Sequence, residues 1–139
     1  MSPSADATSS SSPAEVLTFT SGQIVQEFGY DDDVDHDLRD AIEDLLGEDL
    51  EDEDSQEIVD GVIMWWRDGD GDLTDAMVDT LTTLAPGAPV WVLTPKAGRD
   101  GHVAPGDIQE SAGIAGLRVM SSMSLAPDWT GTRLASRTN

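Results

Sequence analysis

The stretch IVDGVIMWWRDGDGDLTDAMVDTLTTLAPGAPVWVLTP, residues 58–95, decides the fold class. Its two ends, IVDGVIMWW and PVWVLTP, are β-branched and aromatic, and their apolar residues run on without clean alternation. Strands buried on both faces read this way, and they belong to parallel sheets covered by helices. Between them, Leu73, Met77, Leu81 and Leu84 recur at helical spacing. Asp72 suits the N-cap, Asp75 the third helical position, and Pro86-Gly87 the stop, so a helix is expected over 72–87. A strand, a helix and a strand of these lengths make a right-handed βαβ unit.

The pattern extends in both directions. Upstream, Asp35 precedes HDLRDAIEDLLG, in which Leu38, Ile42, Leu45 and Leu46 form one apolar stripe ending at Gly47. GQIVQEFG, 22–29, reads as a strand or a helical turn, and EDLEDED, 48–54, as a loop too charged to bury. Downstream, 107–117 reads as a short helix, 118–126 and 132–136 as strands, with a hairpin turn at PDWTG. The expected fold is α/β: a small three-layer Rossmann-like domain whose mostly parallel sheet ends in a C-terminal antiparallel hairpin. One domain is expected over 15–139, with an acidic helical part at 27–60 and a sheet-rich part at 58–136. The Ser/Pro/Ala-rich residues 1–14 are expected to be a disordered tail.

The 139 residues carry a formal charge of −21. Seventeen acids and one base, Arg39, fall between Glu27 and Asp60, whereas the segment from Thr80 onward holds four acids and five bases. This field repels nucleic acid and anionic lipid and favours a basic protein surface, or serves solubility alone. No apolar run approaches the ~20 residues that a membrane span needs. The start of the chain has neither the basic nor the apolar stretch of a secretion signal, so a cytoplasmic protein is expected. With no cysteine, thiolate metal sites, disulfides and a cysteine nucleophile are excluded.

Asp68, Asp70 and Asp72 have the spacing that opens a calcium loop. Counted from Asp68, however, position 6 is Leu73 where the loop wants glycine, and position 12 is Asp79 where it wants glutamate. The incoming segment is also a strand, so no metal is expected, and the aspartates read as an acidic strand-to-helix turn. The strand-to-helix turn EFGYDDDVD holds only Gly29, followed by three aspartates. A phosphate or adenosylmethionine site wants several glycines there, so no cofactor is expected. His102 has no G-x-S-x-G elbow to partner it, which argues against a hydrolytic triad and leaves no catalytic residue to name.

One constellation stands out. Ligands of open α/β sheets bind at the carboxyl ends of strands. The strand ending at residue 66 delivers Trp66 and Arg67 there, and the loop after residue 95 delivers Lys96, Arg99 and His102. Such an edge suits an anion with an apolar part, such as a nucleotide or acyl phosphate. The competing reading is that these cations only neutralise Asp68, Asp70, Asp72 and Asp100.

The strand VWVLTPK, its glycine-containing loop, the helix and the closing hairpin resemble the second half of the class I methyltransferase fold. More closely, FTSGQIVQEFGYDDDVDHDLRDAIEDLL, WWRDGDGDLTDAMVDTLTTL, LTPKAGRDGHV and DWTGTRL resemble the domain-of-unknown-function 3052 family of high-GC Gram-positive bacteria over residues 18–136. That resemblance implies a fold but brings no activity and no catalytic residues. The expected function is a non-enzymatic cytoplasmic binding or regulatory protein whose acidic face meets a basic partner. The alternative is a small enzyme or binder acting on an anionic metabolite at the carboxyl edge.

Overall fold

The structure, a computed structural model, describes residues 16–136; the expected tail at 1–14 lies outside them. Five strands form one sheet: β1 (Val25–Phe28), β2 (Gly61–Trp65), β3 (Val90–Pro95), β4 (Leu117–Ala126) and β5 (Trp129–Ser136). Their spatial order is β1-β2-β3-β5-β4. The pairs β1/β2 and β2/β3 are parallel, and β5 runs antiparallel to both β3 and β4. The sheet is thus mostly parallel, and β5 is the one reversed strand. The stretch 22–29, open between strand and helix from its sequence, is strand β1.

Among the described residues three helices cover the sheet: α1 (His36–Leu46), α2 (Leu73–Leu81) and α3 (Pro105–Ala115). Side chains alternate along a strand, so Ile63 and Trp65 of β2 face one way while Val62 and Met64 face the other. The first pair joins a core with Leu38, Ile42 and Leu46 of α1; the second joins a core with Met77 of α2 and Ile108 of α3. All five β2 residues are buried because both faces are covered. Local chemistry sets the helix ends. The Asp35 carboxylate accepts from Leu38 N at 2.8 Å, and Gly47 closes α1 in the left-handed conformation.

Two boundaries differ from expectation for a visible reason. Helix α2 stops at Leu81, before the expected end near Pro86-Gly87. Residues just beyond it are taken into a bridge: Val59 N donates to Thr83 O, Ala85 N donates to Val59 O, and Val59 pairs with Leu84. The expected last strand, 132–136, begins at Trp129, because Trp129 and Thr130 already pair with Pro95 and Thr94 of β3. The hairpin turn shrinks to Pro127-Asp128.

The acidic segment after α1 does more than fill a loop. Glu51 lies parallel to β1 on its outer edge, with Glu27 N donating to Glu51 O at 2.8 Å and Glu51 N to Val25 O at 2.9 Å. Buried Gln26 fastens the segment, donating to the carbonyls of Asp52 and Ser55 and accepting from the Thr83 hydroxyl. The chain therefore leaves β1 outward through α1 and returns inward to β2, β3 and beyond. Right-handed connections running in opposite directions place their helices on opposite faces, as α1 and α2 are placed. The reversal puts a topological switch point between β1 and β2.

Candidate functional site

The crevice at the carboxyl ends of β1 and β2 is where a fold of this kind holds its ligand. In this chain the Arg67 side chain reaches across it. Arg67, just past β2, donates from Nε to Asp33 Oδ2 at 2.9 Å and from Nη2 to Asp33 Oδ1. Its Nη1 donates to the Gly29 carbonyl at 2.9 Å, with the Trp65 carbonyl and Asp70 each at 3.3 Å. The guanidinium also stands 5.4 Å from the Trp129 ring centroid, within cation–π range. Only 13% of the Arg67 side chain is exposed. A planar fork in a bidentate pair is the strongest common form of charged hydrogen bond. Arg67 ties the loop after β1, the end of β2 and the start of β5 into one unit.

This pair has a pH signature. The Arg67 hydrogen bond, aided by its charge, holds the Asp33 carboxyl below its ordinary value, against a smaller opposing push from burial. A carboxyl with a depressed folded pKa contributes stability above its unfolded value, and that contribution is lost as pH falls through the folded one. Wild type is expected to melt above Asp33→Asn near pH 6, and the gap is expected to close as pH drops below ~4, the ordinary carboxylate range. Thermal melts between pH 2 and 6 read this directly; a gap that stays constant down to pH 2 would contradict it.

The three aspartates of the β2–α2 turn have separate tasks. Asp70 accepts from Arg67 N and Nη1, and Asp72 caps α2 by accepting from Asp75 N at 3.1 Å. Asp68 donates its own N–H to Gly101 O at 2.8 Å, which joins the turn to the loop after β3. Carboxylates turned to a guanidinium and to backbone N–H groups do not converge on a cation. Calorimetry with calcium is expected to show no saturable micromolar binding, and one-to-one binding abolished by Asp70→Ala would overturn this.

The five residues singled out from sequence do not act together. Loop 96–102 does lie beside Arg67: a Cβ placed on Gly101 would sit 3.0 Å from Arg67 Cβ. Arg67 is engaged as described. Arg99 pairs with Asp128 through Nη2. His102 donates Nδ1–H to the Pro95 carbonyl at 2.8 Å, the tautomer that this acceptor requires. Lys96 is half-buried and donates its backbone N–H to Asp128 O at 2.9 Å. Trp66 points to the other side of the sheet, packed with Phe28, Met64 and Leu73 against the core under α2. Successive side chains of a strand end point to opposite faces, and this separates Trp66 from its neighbours in sequence.

The loop after β3 and the β4–β5 turn border an open hollow of about 690 Å³. Its walls include Asp33, Gly98, Arg99, Asp100, Asp128 and Trp129. Three carboxylates face a single arginine, itself paired. The edge is acidic in balance: Arg67 pairs with Asp33 and Asp70 and Arg99 with Asp128, so of the partners expected from sequence, Asp68, Asp70, Asp72 and Asp100, the ion pairs include Asp70 alone among the described residues.

Sequence reasoning missed a second network. Glu27, 6% exposed, accepts from Arg39 Nε at 2.6 Å, Arg39 Nη2 at 2.8 Å and Trp65 Nε1 at 2.8 Å. Arg39 also stands 4.7 Å over the Tyr30 ring. The lone base among seventeen acids was the available signal, since such a residue is held by a specific partner.

Solved structures share this fold, several of them methyltransferases. They include the pyocyanin biosynthetic protein PhzM (TM-score 0.63, 14% identity, 92% of this chain and 55% of that one). A SAM-dependent methyltransferase from Aquifex aeolicus gives a TM-score of 0.57 at 14% identity, over 89% of both chains. The chain thus spans about half the length of PhzM, and identities this low speak for fold alone. In sequence, the uncharacterized protein Rv2239c of Mycobacterium tuberculosis is 47% identical over 121 residues, 87% of this chain and 76% of that one. A Mycobacterium bovis protein, Mb2263c, matches equally. The pattern of the family described as "Protein of unknown function (DUF3052)" matches residues 14–138, and the chain belongs to that family.

Proposed function

We propose that this chain is a non-catalytic binding domain on a methyltransferase-like frame, whose acidic face meets a basic protein surface. The observation that carries the reading is the Arg67 clamp at the switch point. Where a nucleotide or adenosylmethionine would rest, Arg67 is locked to Asp33 and the Gly29 carbonyl. The loop that would approach such a ligand by its backbone has one glycine, Gly29, and then Asp31, Asp32 and Asp33. The acidic side is built differently. Asp40, Glu43, Asp44, Glu48 and Asp49 surround an open hollow of about 500 Å³ along α1 and its exit. Arg39 is turned away from it to Glu27. A basic partner placing lysine or arginine there gains fast, salt-sensitive association.

The test compares two charge reversals of equal size. A lysine- and arginine-rich peptide is titrated against wild type, Asp40→Lys/Asp44→Lys and, as a control, Asp79→Lys/Glu110→Lys on α2 and α3. The first pair is expected to weaken binding at least tenfold at physiological salt, and the control by no more than about twofold. Equal losses would mean that net charge alone attracts the peptide. In the same instrument, S-adenosylmethionine is expected to give no saturable heat, and tight binding of it would displace the proposal in favour of an enzyme.

A further inference from the structure

The two edges of the sheet are treated in opposite ways. The β1 edge is covered by Glu51 and fastened by Gln26. The β4 edge has no strand or bridge beside it among the described residues. Yet β4 is ten residues long, LRVMSSMSLA, with one charge, Arg118, and no proline. Edges left open are normally short, or defended by lysine, proline or inward charges, because unpaired N–H and C=O groups template another strand. Beside this edge lie exposed apolar side chains: Val119 (38%), Met120 (47%) and Ile114 of the adjoining α3 (69%).

We propose that β4 pairs antiparallel with β4 of a second copy, joining two five-stranded sheets into one of ten strands. The charge distribution selects a second copy. The acids of 27–60 are carried by β1, by the edge segment at Glu51 beyond it and by the α1 connection between them, whereas β4 carries none. In the paired sheet the two β1 strands stand nine strand spacings apart, roughly 43 Å at ~4.8 Å each, several times the ~8 Å Debye length at physiological salt. Repulsion between the acidic faces is therefore screened, and both faces stay open. The antiparallel sense sets Arg118 of one copy opposite the end of β4 near Leu125 in the other, away from its own counterpart. Register shifts at Val119/Ser121 and Ser124/Ala126 bracket a regular stretch, Ser121–Ser124, and this stretch centres the new ladder. With Ser122 on the two-fold axis, Met120 of one copy lies opposite Ser124 of the other and Val119 opposite Leu125. A two-fold interface uses the same patch on both copies, as an antiparallel edge does.

Sedimentation equilibrium of the full chain from 1 to 100 µM, in 150 mM salt, tests the association. The expected result is twice the 14.8 kDa chain mass at the upper end. Met120→Lys is expected to raise the dimer dissociation constant at least tenfold, while Ile58→Lys, an exposed position outside β4, leaves it unchanged. Since the chain has no cysteine, Ser122→Cys carries a single thiol. Mild oxidation is expected to cross-link it as a dimer, and Ile58→Cys to stay monomeric. A wild-type chain that remains monomeric at 100 µM overturns the proposal. So does a dimer in which Ser122→Cys fails to cross-link.

Discussion

Replacing Glu27 with alanine is expected to lower the melting temperature by roughly 10–15 °C. The carboxylate is buried within β1 and accepts three hydrogen bonds, two from Arg39 and one from the Trp65 indole. Alanine removes both acceptor oxygens and leaves the three N–H donors of Arg39 and Trp65 in place. Removing one partner of a buried ion pair costs about 3–5 kcal/mol, most of it from the charge left behind. Arg39 keeps 20% of its side chain exposed, so water relieves part of that loss and the low end, ~3 kcal/mol, applies. At this chain length ~1 kcal/mol moves the midpoint by roughly 3–6 °C. Glu27→Gln keeps one oxygen acceptor and is expected to fall between. Differential scanning calorimetry decides; a loss under ~1 kcal/mol would mean that solvent satisfies those donors.

The same network shows what was legible in the sequence and what was not. Buried strands β2 and β3, the caps Asp35 and Asp72 and the stop at Gly47 follow from local patterns, because burial on two faces and capping act within a few residues. The mostly parallel sheet with an antiparallel C-terminal part follows from element order. The pairing of Arg67 with Asp33 joins positions 34 residues apart, and that of Trp65 with Glu27 spans 38. Sequence spacing carries no information on which of many aspartates a given arginine will meet. Trp66 stands apart from Arg67 for a simpler reason: the alternation of a strand continues past its last hydrogen bond, so the two separate to opposite faces. Glu51 was hidden by its own composition, since EDLEDED reads as solvated chain. Its pairing with β1 runs through the backbone, which side-chain composition does not reveal.

Gly29→Ala is expected to be at least as damaging as the loss of Glu27, and it tests the close approach of β1 and β2 at the switch point directly. Gly29 has φ 75°, and a Cβ there would fall 2.1 Å from the Trp65 carbonyl oxygen. The left-handed conformation alone costs an L-residue about 1–2 kcal/mol. The clash adds more, because the obstacle is backbone of β2, buried and paired on both sides, and has no rotamer to yield. Relief requires the end of β1 to swing away from β2. That movement breaks the Gly29 N–H bond to Glu53 and the Gly29 carbonyl bond to Arg67. The expected total is more than ~3 kcal/mol, within the range of large single-site effects. Gly87→Ala separates the two contributions. Gly87 has φ 79° with nothing within 4 Å of the added Cβ, so it reports the conformational cost alone, about 1–2 kcal/mol. If the two glycines cost the same, β1 and β2 are not in close approach at their carboxyl ends.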